Sequence, residues 1–214
     1  MRTQTRTLAT TVGLGLAASS FLGVGRRLGL EATDEEMHGA LPGDELIPVA
    51  DVSATRAITV HRKPNAVWPW IAQVGQGRGG FYSYDILENL AGCNIVSANR
   101  IVADWQQVEV GDDVRLAPEV ALKVARVEPG RTLVLRGGVP MGKTPAPYDF
   151  SWTFTLRDDP DGSTRVLVRE RYVYRRWWAR PIVWVAALMS RVMSRKMLRG
   201  IRERAEKVAD PAYV

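Results

Sequence analysis

GQGRGGFYSYDILENLAG, residues 75–92, opens with Gly75, Gly77 and Gly80 in the G-x-G-x-x-G spacing that can mark a dinucleotide site. That chemistry needs a buried strand running into the loop, a helix leaving it with its N-terminus on the pyrophosphate, and an acidic residue about 20 positions on for the ribose. The segment before Gly75 is PNAVWPWIAQV, with Pro64 at a first helical position and Val67, Trp70, Ile71 and Val74 at i, i+3, i+4, i+7. A helix, not a strand, therefore enters the loop, and Pro69 keeps it short by removing one backbone donor. Twenty residues on, IVSANR (95–100) carries no carboxylate. The glycines read instead as a helix stop at Gly75 and a close-packed loop needing positive φ, before a second short helix capped by Ser83 and stopped by Gly92. No cofactor is expected.

Working outward, residues 55–60 read as a first strand. After the helices, LKVARV and RTLVLRG flank Glu128-Pro129-Gly130, a turn in which proline presets φ and glycine accepts the positive φ of type II. DFSWTFTL alternates, with Phe150, Trp152, Phe154 and Leu156 on one face. DDPDGS turns the chain, and residues 164–175 return with Val166, Val168, Glu170, Tyr172 and Tyr174 together. These are antiparallel hairpins with one face buried. A helix from near Pro181 carries an apolar stripe of Ile182, Val185, Ala186, Met189, Met193 and Met197, expected in the core, with Arg191, Arg195 and Arg202 opposite.

The chain of 214 residues, 46% hydrophobic, has room for one good core. Its net charge of +6 is uneven: residues 171–207 hold 11 basic and 2 acidic side chains, so the remainder is slightly acidic. An anionic partner is met by the C-terminal segment, and with no basic groove elsewhere nucleic acid is not expected. The single Cys93 excludes an intrachain disulfide, and with only His38 and His61 a His/Cys metal cluster cannot be assembled. Cys93 reads as a small buried apolar residue.

Residues 7–25 (TLATTVGLGLAASSFLGVG) carry no charge and lie between Arg2 and Arg6 on one side and Arg26 and Arg27 on the other. Nineteen residues suffice for a weak membrane span, with a cleaved signal peptide as the competing reading. The flanking arginines tie on the two sides; the cytoplasmic face is preferred. EATDEEMHGALPGDELIPVADV (31–52) has the composition of an acidic linker laid along a surface, and Thr33 with Glu36 fits a capping box. The division expected is a hydrophobic segment at 1–30, the linker at 31–52 and a folded domain at 53–209.

The motifs VWPWIAQVGQGRGGFYSYDILENLAG, ATDEEMHGALPGDELIP and SANRIVADWQQVEVGDDV strongly resemble an actinobacterial branch of the SRPBCC superfamily, which includes START lipid-transfer domains, pollen-allergen-like proteins and polyketide cyclases/dehydrases. The resemblance covers about residues 31–207. It implies an α+β helix-grip fold: a curved antiparallel sheet wrapped around a long C-terminal helix, two short helices after the first strand, and an enclosed apolar cavity. Branch members also often carry an N-terminal hydrophobic segment. No agreed catalytic residues come with the resemblance. The function it implies is binding or transport of a hydrophobic small molecule or lipid near a membrane, with a cyclase/dehydrase-type enzyme as the alternative.

Within that frame, Glu170 is a carboxylate on an apolar strand face, to be paired or held with a raised pKa, and as such a ligand contact or general acid. The competing reading pairs it with an arginine such as Arg78 or Arg100. Tyr82, Tyr84 and Asp85 follow the glycines where the cavity mouth is expected, and Asp85 is the second acid–base candidate, although the helix dipole accounts for it equally. Arg78 suits a ligand carboxylate or phosphate, or a tie to a neighbouring carboxylate. Trp105, Trp152 and Tyr172 are cavity or core wall. Glu88 reads as a solvated helix residue. Trp177, Trp178, Arg180 and Trp184, with Arg191 and Arg195, combine cations with amphipathic rings and suit a membrane interface; the competing reading folds the tryptophans onto the domain.

Overall fold

Each turn signal closes an antiparallel pair. The structure is a computed structural model describing residues 31–90, 92–140 and 145–207, so the apolar segment at 7–25 lies outside the described residues. In chain order the elements are α1 (Asp34–His38), β1 (Val52–Val60), α2 (Pro64–Ala72), α3 (Asp85–Leu90), β2 (Asp113–Ala117), β3 (Val120–Glu128), β4 (Thr132–Gly137), β5 (Tyr148–Asp158), β6 (Thr164–Tyr174) and α4 (Ala179–Lys207). The Arg131 N–H donates to the Glu128 carbonyl across the β3–β4 turn, where Gly130 has φ +78°. Strand β2 was not separately foreseen; it pairs with β3 through an irregular register near Arg115.

The six strands form one antiparallel sheet in the order β1-β6-β5-β4-β3-β2. Strands β2 to β6 run as a meander and β1 adds beside β6, so the first and last strands are neighbours and α4, leaving β6, is delivered back onto the sheet. This is the helix-grip arrangement that the SRPBCC resemblance implied. Register sets the inner face: Ala54, Glu170, Trp152, Leu135 and Val124 stand directly opposite one another across five strands. That face packs on Val67, Trp70 and Ile71 of α2 and on Ala179, Val183, Met197, Leu198, Ile201 and Ala205 of α4.

Strands β4, β5 and β6 are buried on both faces, not one, whereas β3 keeps Lys123 and Arg126 exposed on its outer face. Ser151, Thr153 and Thr155 alternate with the inner aromatics, a pattern that reads as a solvent face, yet all three are buried. The acidic stretch of the sequence covers them. Residues 31–49 cross the outer face and are held by three arginines of β6. Arg165 grips Glu36 through two bonds, Nε to Oε1 at 2.7 Å and Nη2 to Oε2 at 2.8 Å. Arg169 donates to Asp44 Oδ2 at 2.6 Å and to the carbonyls of Glu36, Met37 and Gly39, and Arg171 donates to the carbonyls of Ile47 and Pro48. Beneath them Ala32, Leu41, Ala57 and Leu167 make a second small core. The Thr33–Glu36 capping box forms as expected.

Helix α4 differs in rotation from its sequence reading. Met197 is buried, but Val185 and Met189 are 54% and 50% exposed. The cause is polar: Ser190 and Ser194 turn inward to donate to Glu170, and the methionine stripe is displaced by about a quarter turn. A pattern built on apolar spacing alone leaves serines out of the core.

Candidate functional site

The eight residues expected to line a ligand site lie in three places. Trp152, Glu170 and Tyr172 share the inner face of the sheet. Tyr82, Tyr84 and Asp85 line a groove between the glycine loop and α4. Arg78 and Trp105 meet at neither: Arg78 Nη2 donates to the Ala72 carbonyl at 3.1 Å and to the Trp105 carbonyl, tying the loop to backbone and not to a carboxylate.

The glycine loop is built by its own hydrogen bonds. Gly75 and Gly80 exchange both N–H···O bonds at 3.0 Å, closing the loop on itself, and both take positive φ. Behind it Gln73, fully buried, spends its amide on four neighbours: Nε2 donates to the Tyr82 hydroxyl and the Arg100 carbonyl, and Oε1 accepts from Val102 N–H and Gln106 Nε2. Nothing in the spacing marked Gln73. Its role depends on loops nearly 30 residues away.

Tyr82 sits in the left-handed region at φ +56°, unusual for a bulky residue. Trp70 edge-on at 5.9 Å, the Arg204 guanidinium 4.8 Å from the ring centre and the Ser97 hydroxyl accepting its N–H hold it there. Burial pushes its phenol up to about 12. A Cβ added at Gly200 would run into the Tyr82 backbone, so α4 and the loop touch main chain to main chain. The groove beside this contact has a volume of about 710 Å³; Ile86 and Leu87 form one wall and Lys196, Glu203 and Arg204 of α4 the other. Asp85 in it is already engaged, accepting from Ser97 N–H at 2.8 Å and Ser97 Oγ at 2.6 Å. Ser83 does not cap α3 with its hydroxyl, which donates to the Met193 carbonyl.

The inner face holds the polar centre. Glu170 is buried and accepts from Arg56 Nη1 (3.1 Å), Ser190 Oγ (2.5 Å) and Ser194 Oγ (2.9 Å) at Oε1, and from the Tyr172 hydroxyl (3.3 Å) at Oε2. Its cation is Arg56 of the neighbouring strand, not Arg78 or Arg100. Around it Tyr148, Phe150, Trp152, Tyr172 and Phe81 form a continuous row, with neighbouring ring centres 4.6–6.5 Å apart. These five are 4–9% exposed, while Leu133, Leu135 and Phe154 beside them are fully closed. The row is thus buried, slightly less completely than the core below it. Two buried indole N–H groups, of Trp70 and Trp152, have no acceptor among the described residues; of the two, the Trp152 ring belongs to the aromatic row. Burial raises the Tyr148 phenol, and burial with the neighbouring Glu170 raises that of Tyr172, so both rings stay neutral.

Glu88 overturns its sequence reading. It is buried, both oxygens lack a partner among the described residues, and burial with the nearby Asp85 lifts its carboxyl to about 7. Cys93, half-buried beside it, has its thiol pushed up by burial and by Glu88, away from nucleophilic character. Among the described residues no cluster of His, Cys, Asp and Glu is arranged to hold a metal.

No protein-family model matches the chain, and no curated protein does. Solved structures of similar architecture include the Zhui aromatase/cyclase from Streptomyces sp. R1128, 16% identical, covering 76% of this chain and 99% of that one at a TM-score of 0.42. CalU16 from Micromonospora echinospora is 17% identical over 72% of this chain and 83% of that one, at 0.35. A protein from Arthrobacter aurescens is 12% identical over 76% and 92%, at 0.43. Likeness of this degree carries no ligand and no reaction across.

Proposed function

We propose that the protein binds an apolar small molecule bearing at least one hydrogen-bond acceptor, held between the aromatic row of the sheet and α4, as a carrier or sensor. The observation that carries this is the Trp152 indole N–H: a buried donor without an acceptor among the described residues, within the aromatic row. A donor so placed is satisfied by a ligand oxygen, and the rings supply the apolar contact area. The alternative, a cyclase-type enzyme with Glu170 or Asp85 as acid–base group, has less support, since donors already occupy both carboxylates.

Native mass spectrometry of protein purified from cells, followed by titration with a fatty acid, a sterol and an aromatic polyketide, tests the reading. Uptake of at least one is expected. Trp152→Phe keeps the ring and removes the donor, so it should weaken an acceptor-bearing ligand by about 2- to 10-fold and leave a hydrocarbon analogue unaffected. A chain that is recovered empty and takes up none of the three refutes it.

A further inference from the structure

The N-terminal half of α4 presents an apolar face to solvent. Trp184, Leu188 and Val192 stand at i, i+4 and i+8, with Val185 and Met189 beside them; Trp184 is 67% exposed and the other four are about half exposed. Trp177, just before the helix, is 90% exposed. Ile86 and Leu87 of α3 share a groove with Lys196, one turn beyond Val192, and extend the apolar surface sideways. Monomeric proteins rarely leave so continuous a patch without an occupant.

The charge around the face identifies the occupant. Residues 175–202 contain eight basic side chains, Arg175, Arg176, Arg180, Arg191, Arg195, Lys196, Arg199 and Arg202, and no acidic one. Arg195 pairs with Glu31 and Arg175 with Asp149; Arg180, Arg191 and Arg199 have no carboxylate partner among the described residues. A second copy docking face to face would set these cations against each other. Within the 31–49 stretch Glu36 and Asp44 are already bound to Arg165 and Arg169, and Glu31 to Arg195 of α4 itself. The uncharged segment at 7–25 would cover the apolar side chains and leave the arginines unmet. Apolar side chains and tryptophans beside unpaired cations, along one helix of 29 residues, fit an interfacial helix lying in the headgroup region.

We infer that the exposed face of α4 docks onto an anionic lipid bilayer, with Trp184, Leu188 and Val192 entering the headgroup–acyl boundary and Arg180, Arg191 and Arg199 meeting lipid phosphates. Among the described residues no helix is long and apolar enough to cross a membrane, so α4 lies on the surface. The inference is independent of ligand uptake, and its test reads a position and not a ligand.

In the full chain, Cys93→Ala with Leu188→Cys allows a polarity-sensitive fluorophore to be placed on the face. Val49→Cys, at an exposed position on the outer stretch, is the control. With phosphatidylglycerol/phosphatidylcholine vesicles the probe at 188 should shift to the blue and be quenched by nitroxide-labelled lipid, the probe at 49 should do neither, and pure phosphatidylcholine should give a much smaller effect. Replacing Arg180, Arg191 and Arg199 with glutamine should lower anionic-vesicle insertion at 188 on the order of 100-fold at low salt, with a smaller factor at physiological salt, where the Debye length is about 8 Å. A probe at 188 that stays in water while the chain sediments with vesicles overturns the inference, because another segment is then the tether. So does a probe already shielded without lipid and unchanged by it, because the chain itself or a second copy then covers the face.

Discussion

Glu170 on β6 and Glu88 on α3 are hidden almost equally, at 1% and 4% exposure, yet their surroundings differ completely. Glu170 is met by a guanidinium and three hydroxyls drawn from β1, β6 and α4. Glu88 has no donor among the described residues and a like charge nearby in Asp85. A buried carboxylate with donors acts as a joint; one without them is a local strain relieved by a proton. The joint at Glu170 connects three elements distant in sequence, including the helix that the sheet grips. The strain at Glu88 lies in a six-residue helix beside the groove. Glu36, paired with Arg165 on the outer face, is an intermediate case: well bonded, but between an N-terminal stretch and the start of β6 rather than at the centre.

The largest effect should come from breaking the joint. Glu170→Ala leaves Arg56 buried without its carboxylate and should destabilise the protein by about 3–5 kcal/mol in urea unfolding. Glu170→Gln, which keeps an acceptor for the serines, should lose less. Equal losses would mean that the serine contacts do not matter.

On the outer face, Glu36→Gln should cost about 1.5–3 kcal/mol, the range for hydrogen bonds to charged groups. Burial raises the Glu36 carboxyl, but the Arg165 and Thr33 bonds outweigh it and leave the pKa below 4.5. A depressed folded pKa contributes stability that is full above the unfolded value and fades as pH falls through the folded one. The gap between wild type and Glu36→Gln should therefore narrow below pH 4.5 and remain constant above about 6. A gap independent of pH would place the interaction elsewhere.

Glu88 should respond with the opposite sign and the smallest size. Its folded carboxyl at about 7 is above the unfolded value of 4.5, so stability drains away as pH rises between the two. Glu88→Gln should raise the thermal midpoint at pH 8 by about 2–4 °C, the shift expected for about 1 kcal/mol in a chain of this size, and change little at pH 4.5. A destabilised Glu88→Gln at pH 8 would reveal a partner for the charged form.

Particular residues show why the site was only partly legible. Glu170 was found in sequence because a carboxylate interrupted an alternating apolar face, a local signal. Its partner was not, because Arg56 lies 114 residues away and is brought alongside only by the β1–β6 pairing. Glu88 was misread because a charged residue on a short helix ordinarily faces water, and nothing within the helix says that the side it occupies will be covered. Gln73 gave no signal at all, since a glutamine after an apolar run is unremarkable until the glycine loop and the α3–β2 connection close on its amide.

By itself, the sequence determined whatever depends on neighbours a few residues apart: the hairpins from alternation and turn residues, the Thr33–Glu36 cap, the closed glycine loop, and the long C-terminal helix. The tertiary structure alone decided which face of an element meets which. On α4 two faces were apolar enough to be buried, and the choice went to the one carrying Ser190 and Ser194, because a buried Glu170 short of two of its four donors is less favourable than exposed methionine and valine. On β6 the arginines at 165, 169 and 171 read as a solvent face and became the clamp for the acidic stretch. In both places polar groups far apart in the chain had to be satisfied together, and spacing along the sequence does not record that requirement.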